Sequence, residues 1–206
     1  MPGTNEDKQV VGGLAPERAR AFLDAVHRNA ERLSQIIDDL LDLARIEAGE
    51  AEFHLKAVTL GPAIRRATDT IAVKAQSKQQ QLSVEVADSL KVVADARALD
   101  QILLNLLDNA VKYTPEGGCI TARALNQGNA VRIEIQDDGS GIEQQHRQRL
   151  FERFYRIDPG RSREVGGTGL GLAIVKHLVG AMHGDTGFEP PDQPGSIFWF
   201  TLPLAR

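Results

Sequence analysis

Four short segments between Asn105 and Leu172 constrain this chain most, because they make joint sense only if folding turns them toward one ligand. They are Asn105-Leu-Leu-Asp-Asn109-Ala-Val-Lys112-Tyr113, Asp137-Asp-Gly139-Ser-Gly141, Phe151-Glu-Arg-Phe154-Tyr155-Arg156 and Gly166-Gly167-Thr168-Gly169-Leu170-Gly171-Leu172. By type they offer amide oxygens and a lysine, a carboxylate on a glycine turn, an aromatic cluster, and a glycine-rich approach to a helix. Each alone is weak evidence. Together, in this order and within about seventy residues, they point to a nucleoside triphosphate and its metal.

The apolar positions Leu99, Ile102, Leu103, Leu106 and Ala110 recur at helical spacing behind Asp95, a good N-cap. That spacing puts Asn105, Asn109 and Lys112 on the other face, one turn apart. Mg²⁺ takes hard oxygen ligands and shares itself with phosphates, which suits Asn105 and Asn109, and Lys112 adds a point charge for phosphate. A solvated polar stripe accounts for the same pattern in isolation. Val131, Ile133 and Ile135 alternate with polar residues as a half-buried strand that runs into Asp137. Gly139 and Gly141 then allow a tight turn, where a carboxylate can accept a hydrogen bond from an exocyclic amine such as that of adenine. An ordinary Asp/Gly turn at a strand end reads the same way. The last glycines precede the apolar run Leu172, Val175, Leu178, Val179 and Met182, so free N–H groups at a helix start face whatever binds there. Neither a P-loop nor a dinucleotide fingerprint fits these glycines.

These segments resemble the asparagine, first glycine, phenylalanine and second glycine boxes of bacterial two-component sensor histidine kinases, within the GHKL ATPase superfamily. The resemblance runs from about Ala15 to Pro203, and Tyr155 to Gly169 is close to the family's lid. It implies an α/β two-layer sandwich of mixed sheet and helices, the Bergerat fold, preceded by a long N-terminal helix. It implies ATP and Mg²⁺ as cofactors, with Asn105, Asn109 and Lys112 as catalytic residues and both asparagines at the metal. Tyr113, Asp137, Gly139, Gly141, Phe154, Gly167, Thr168, Gly169, Leu170, Gly171 and Leu172 are implied to hold the nucleotide. The chain is then a protein-histidine kinase domain, passing the γ-phosphate to a histidine on a phosphotransfer helix. Its implied partners are that helix, a response regulator and a second copy of the chain. A non-catalytic nucleotide-binding and dimerisation module that regulates a partner is the alternative.

Residues 15–48 read as one helix, with Phe22, Val26, Leu33, Ile36, Leu40 and Leu43 every three or four residues and Gly49 at its end. One amphipathic helix cannot bury its own stripe, so it needs partner helices. Its sequence resembles the second helix of the family's dimerisation and phosphotransfer domain. The family's acceptor lies in a first helix, in a run of His-Glu, Leu or Phe, Arg or Lys, Thr and Pro. None of His27, His54, His146, His177 and His183 sits in such a run.

The expected organisation is a flexible leader over 1–14, a partial dimerisation helix over 15–50 and an ATP-binding catalytic domain over 51–206. Within the last, strands are expected at 52–58, around Leu82–Val86, at 91–94, 119–125, 130–136 and 196–202. Helices are expected at 61–77, up to Tyr113, at 143–152 and at 169–182, with a mobile lid at 156–168. Asn126-Gln-Gly128-Asn129 is a hairpin turn. The final strand must turn either Phe198 and Phe200 or Ile197 and Trp199 to the core. Residues 185–192 break the family's apolar alternation with Gly187, Glu189, Pro190 and Pro191, so that strand is expected to be doubtful or displaced to an edge. A formal net charge of −4 gives no reason to expect nucleic acid or an anionic membrane, and a lone Cys119 rules out an internal disulfide framework. The expected location is cytoplasmic, in a parent protein that is itself a candidate for membrane anchoring.

Overall fold

In a computed structural model, which describes residues 16–157 and 168–205, the expected alternation of strands and helices closes into two layers. The helices are α1 (Pro16–Glu47), α2 (Leu60–Ser77), α3 (Ala96–Tyr113), α4 (Gln144–Arg147) and α5 (Gly171–Ala181). The strands are β1 (Lys56–Thr59), β2 (Gln81–Glu85), β3 (Lys91–Ala94), β4 (Cys119–Asn126), β5 (Ala130–Asp137), β6 (Thr186–Glu189) and β7 (Ser196–Pro203). Five strands form a sheet in the order β2-β4-β5-β7-β6, parallel between β2 and β4 and antiparallel elsewhere, while β1 and β3 pair as a separate two-stranded ribbon.

Alternation decides which face is which. Ile133 pairs with Phe200 and Ile135 with Phe198, and all four are buried beneath the helix layer with Leu99, Ile102, Leu103 and Leu106 of α3. Phe198 and Phe200 are therefore the inward pair of β7. The opposite face carries a charged ladder in which Glu134 binds Arg123 at 3.0 Å and Arg132 at 2.7 Å. Arg132 also reaches Glu189 at 2.7 Å and lies 4.4 Å over the Trp199 ring. Glu134 is buried although it stands on the outward side of its strand; its two arginines compensate the lost water.

The doubtful strand exists, at the sheet edge, paired among the described strands with β7 alone. Gly187 is what lets it sit there, because a Cβ would come within 2.5 Å of the Trp199 ring. The helix expected at 143–152 stops at Arg147 and continues as successive turns (Arg149 N to His146 O, Glu152 N to Arg149 O). Only Leu150 and Phe151 of the following stretch are turned inward, too few to form a helical stripe. The strand expected from 52 starts at Lys56, because its partner β3 is only four residues long. Residues 1–14, Gly167 and most of the expected lid lie outside the described residues.

The α1 stripe divides. Leu43 is fully buried and Ile36 and Ile46 are partly buried against the core, whereas Phe22, Val26, Leu33 and Leu40 stay exposed, as do Leu23, Ile37 and Leu41. The C-terminal part of α1 thus packs on α5, and the rest keeps an apolar face in solvent. No described helix is long and apolar enough to cross a membrane.

Candidate functional site

Asp95 starts the site by fixing α3. Its Oδ1 accepts from Arg97 N at 2.9 Å and Ala98 N at 3.1 Å, and its Oδ2 accepts from His54 N at 2.9 Å, so one carboxylate caps the helix and ties down the preceding loop. With its apolar face fixed on the sheet, α3 turns its polar face to a cavity of about 1570 Å³. Asn105, Asn109, Lys112, Tyr113, Asp137, Gly139, Gly141, Thr168, Gly169, Gly171 and Leu172 all line it. Two of the expected residues among those described do not. Phe154 has its side chain largely in solvent; what it contributes is backbone, with φ +60° and its N–H donated to Gly169 O at 2.9 Å. Leu170 is buried in the core beneath α5. Gly169, at φ +76°, lies so close to Phe154 that a Cβ would reach its Cα at 3.0 Å, which explains why glycine is needed there.

In the cavity wall Asp137 ends β5 with 4% of its surface exposed. Its Oδ1 accepts from Gly139 N at 2.9 Å, and Ser196 on β7 also bonds its carboxylate. Gly195 closes over its carbonyl, since a Cβ there would come 2.1 Å from Asp137 O at a φ of +147°. Burial pushes the Asp137 carboxyl up to about 6, against the pull of the Gly139 hydrogen bond and with help from neighbouring Asp138. A raised folded value means the unfolded chain releases this proton first. The contribution of Asp137 to stability therefore falls as pH rises from about 4 to about 6 and is flat above, a loss of about 3 kcal/mol. Thermal melts of the ligand-free protein should show this as a difference from Asp137→Asn, which grows across that window in favour of the variant. A pH-independent difference would mean that Asp137 is ionised at its ordinary value.

Asn105 and Asn109, on the α3 wall of the cavity, present side-chain amides that are not hydrogen-bonded to any described residue. A Cβ on Gly171 would come within 3.1 Å of Asn105 Oδ1, so the start of α5 lies directly against that amide. Lys112 Nζ is 2.5 Å from Asp108 Oδ2, and Lys74 Nζ on α2 is 2.8 Å from Asp108 Oδ1. Burial would raise the Asp108 carboxyl, but the two ammonium groups outweigh it and hold it below its ordinary value. Among the described residues no group of three His, Cys, Asp or Glu is placed to hold a metal. The donors on offer are instead neutral amide oxygens, which fit a Mg²⁺ that keeps waters and takes phosphate oxygens as its charged ligands.

Sequence reasoning missed four contributors. Lys74 and Lys112 flank Asp108 from either side; Asp108 stands inside the asparagine segment, but its spacing alone gives no sign of a paired carboxylate. Gln35 and Asp39 of α1 line the same cavity from far away in the chain. Of the histidines, His27 has no acid at the next position, yet its Nε2 lies 3.3 Å from Glu31 Oε1 one helical turn on, with both side chains exposed. His146 bonds Tyr155 Oη at 2.7 Å, and His177 lies 3.1 Å from Glu47.

Residues 94–206 match the family model of the histidine kinase-, DNA gyrase B- and HSP90-like ATPases, and residues 6–49 match that of the His Kinase A (phospho-acceptor) domain. The circadian input-output histidine kinase CikA of Synechococcus elongatus is 35% identical over 194 residues, which are 93% of this chain and 26% of CikA. The sensor-like histidine kinase SenX3 of Mycolicibacterium smegmatis is 32% identical over 188 residues, 91% of this chain and 49% of SenX3. The chain thus spans between a quarter and a half of these relatives. Among solved structures, full-length ShkA in complex with AMPPNP superposes with a TM-score of 0.78 at 32% identity, over 95% of this chain and 41% of that one. The mycobacterial sensor histidine kinase MprB superposes at 0.63 and 31% identity, over 73% of this chain and 98% of that one.

Proposed function

The chain belongs to the histidine kinase-, DNA gyrase B- and HSP90-like ATPases, among the sensor histidine kinases, and from that premise we propose that it binds Mg-ATP and donates the γ-phosphate to a histidine on a phosphotransfer helix. The observation that carries this reading is the distribution of chemistry along one cavity. A buried carboxylate, amide oxygens, a lysine and the start of a helix all face the same cavity.

Asp137 accepts the exocyclic amine of adenine. Asn105 and Asn109 would hold Mg²⁺ through their side-chain oxygens, and the ion would supply neutralisation of phosphate charge. Lys112 leaves Asp108 for the phosphate chain, and Lys74 remains to neutralise the carboxylate that Lys112 vacates. The N–H groups at the start of α5 add the positive end of a helix dipole. These residues make no covalent bond to the transferred group; they position it and stabilise its charge. The exposed Phe22, Val26 and Leu33 face of α1 suits a second copy of the chain, and the phosphorylated histidine then serves a response regulator.

Mixing the chain with γ-labelled ATP and a separate acceptor helix tests the reading. Acid-labile, base-stable label is expected on the acceptor helix and not on the chain itself, because none of the five histidines lies in an acceptor sequence. ATP binding without any transfer would favour the regulatory module instead. Label on the chain, lost in His27→Ala, would make the His27–Glu31 pair a working acceptor and base.

A further inference from the structure

The C-terminal half of α1 is fastened to the ATPase layer by more than Leu43. Asp42 Oδ2 accepts from Gln101 Nε2 at 3.1 Å, and Glu47 pairs with His177 and Arg153. The contact with a chemical consequence is Asp39, which is 7% exposed and forms part of the cavity wall. Its Oδ1 accepts from Gln35 Nε2 at 2.7 Å and its Oδ2 accepts from Thr168 Oγ1 at 3.0 Å. Thr168 Oγ1 in turn accepts from Leu170 N at 3.2 Å, at the N-cap of α5.

A hydroxyl has one proton. In this arrangement the proton of Thr168 goes to Asp39, and the Leu170 N–H is spent on the Thr168 oxygen. Both groups stand at the helix start assigned above to phosphate. We propose that Asp39 is a positioning residue for the phosphate cradle: docked α1 and the phosphate chain of the nucleotide compete for the single proton of Thr168. The carboxylate acts twice in the same direction, since it also places a negative charge on the wall that phosphates must approach. Adenine, read at Asp137, whose hydrogen bonds go to Gly139 and Ser196 rather than to Asp39 or Thr168, meets neither effect. The position of the helix thereby sets how well the site holds phosphates, without touching how it holds the base. This inference rests on the ATP-binding reading.

Calorimetric titration of the full chain with adenosine and with Mg-ATP separates the two. Asp39→Ala should bind Mg-ATP about tenfold more tightly than the wild type and adenosine equally well. Asp39→Asn keeps an acceptor for Thr168 and loses only the charge, so its gain should be intermediate. In a Thr168→Val background the Asp39→Ala gain should shrink to about threefold or less, because no hydroxyl proton remains to release. Unchanged or weaker Mg-ATP binding by Asp39→Ala would overturn the inference. So would an adenosine affinity that moves in step, which marks a general effect on the fold, or a full gain in the Thr168→Val background. A wild-type chain that binds neither ligand would instead bring down the nucleotide reading and this inference with it.

Discussion

Asn109→Ala is expected to bind adenosine like the wild type and to transfer the γ-phosphate at least about a hundredfold more slowly, since one lost transition-state ligand typically costs that much. On the proposed reading its ATP affinity should lose its dependence on magnesium, because Asn105 alone would be left to hold the ion. The fold should not notice. Asn109 lines the cavity on the polar face of α3, its amide bonds no described residue, and the buried stripe of Leu99, Leu103, Leu106 and Ala110 lies elsewhere on the helix. A thermal midpoint within a few degrees of wild type is therefore part of the expectation. Loss of the folded state would identify Asn109 as a structural amide, and undiminished transfer would remove it from the metal site.

What could be read from the sequence was local. The Asp95 cap, the apolar stripe of α3 and the β4–β5 turn each rest on spacing over a few residues. The turn closes as expected, with Gly128 at φ +83° donating to Asn126 Oδ1 at 2.9 Å. Even the departure at 185–192 was informative, since Gly187 and the prolines exclude a central strand and an edge strand is what forms. The choice between the two faces of β7 needed the sheet. Its pattern is apolar on both sides, and only the charged ladder of Arg123, Arg132 and Glu134 marks which face is outside.

The α1 wall of the cavity was not readable at all. Asp39 meets Thr168 across 129 residues, and no local periodicity records such a contact. Its heptad-like stripe predicts helix partners, yet Ile36, Leu43 and Ile46 are taken by α5 and the ATPase layer, so one stripe serves two surfaces. Phe154 is a third case: at φ +60° its ring stands exposed, and it is the backbone N–H that supports Gly169, which no side-chain pattern in the sequence records.

Asp137→Asn should make the ligand-free protein more stable and nearly blind to adenine. Above pH 6 the wild type holds an ionised carboxylate with 4% exposure, kept only by the Gly139 and Ser196 hydrogen bonds, and that cost disappears with the charge. The asparagine oxygen can still accept from Gly139 N, so the turn survives. On the proposed reading the same exchange would set a donor amide where the carboxylate accepts from the exocyclic amine of the base, two donors in opposition. Adenine nucleotide affinity should drop by about 1–3 kcal/mol, or roughly five- to 150-fold, while the phosphate end is untouched. The stability gain and the affinity loss share one origin, a carboxylate desolvated in advance of its ligand. Competition binding with ATP and GTP checks the assignment, because GTP presents a carbonyl oxygen where ATP presents the amine. The wild type should strongly prefer ATP and the variant should lose that preference; equal affinity of the wild type for both would remove Asp137 from base recognition.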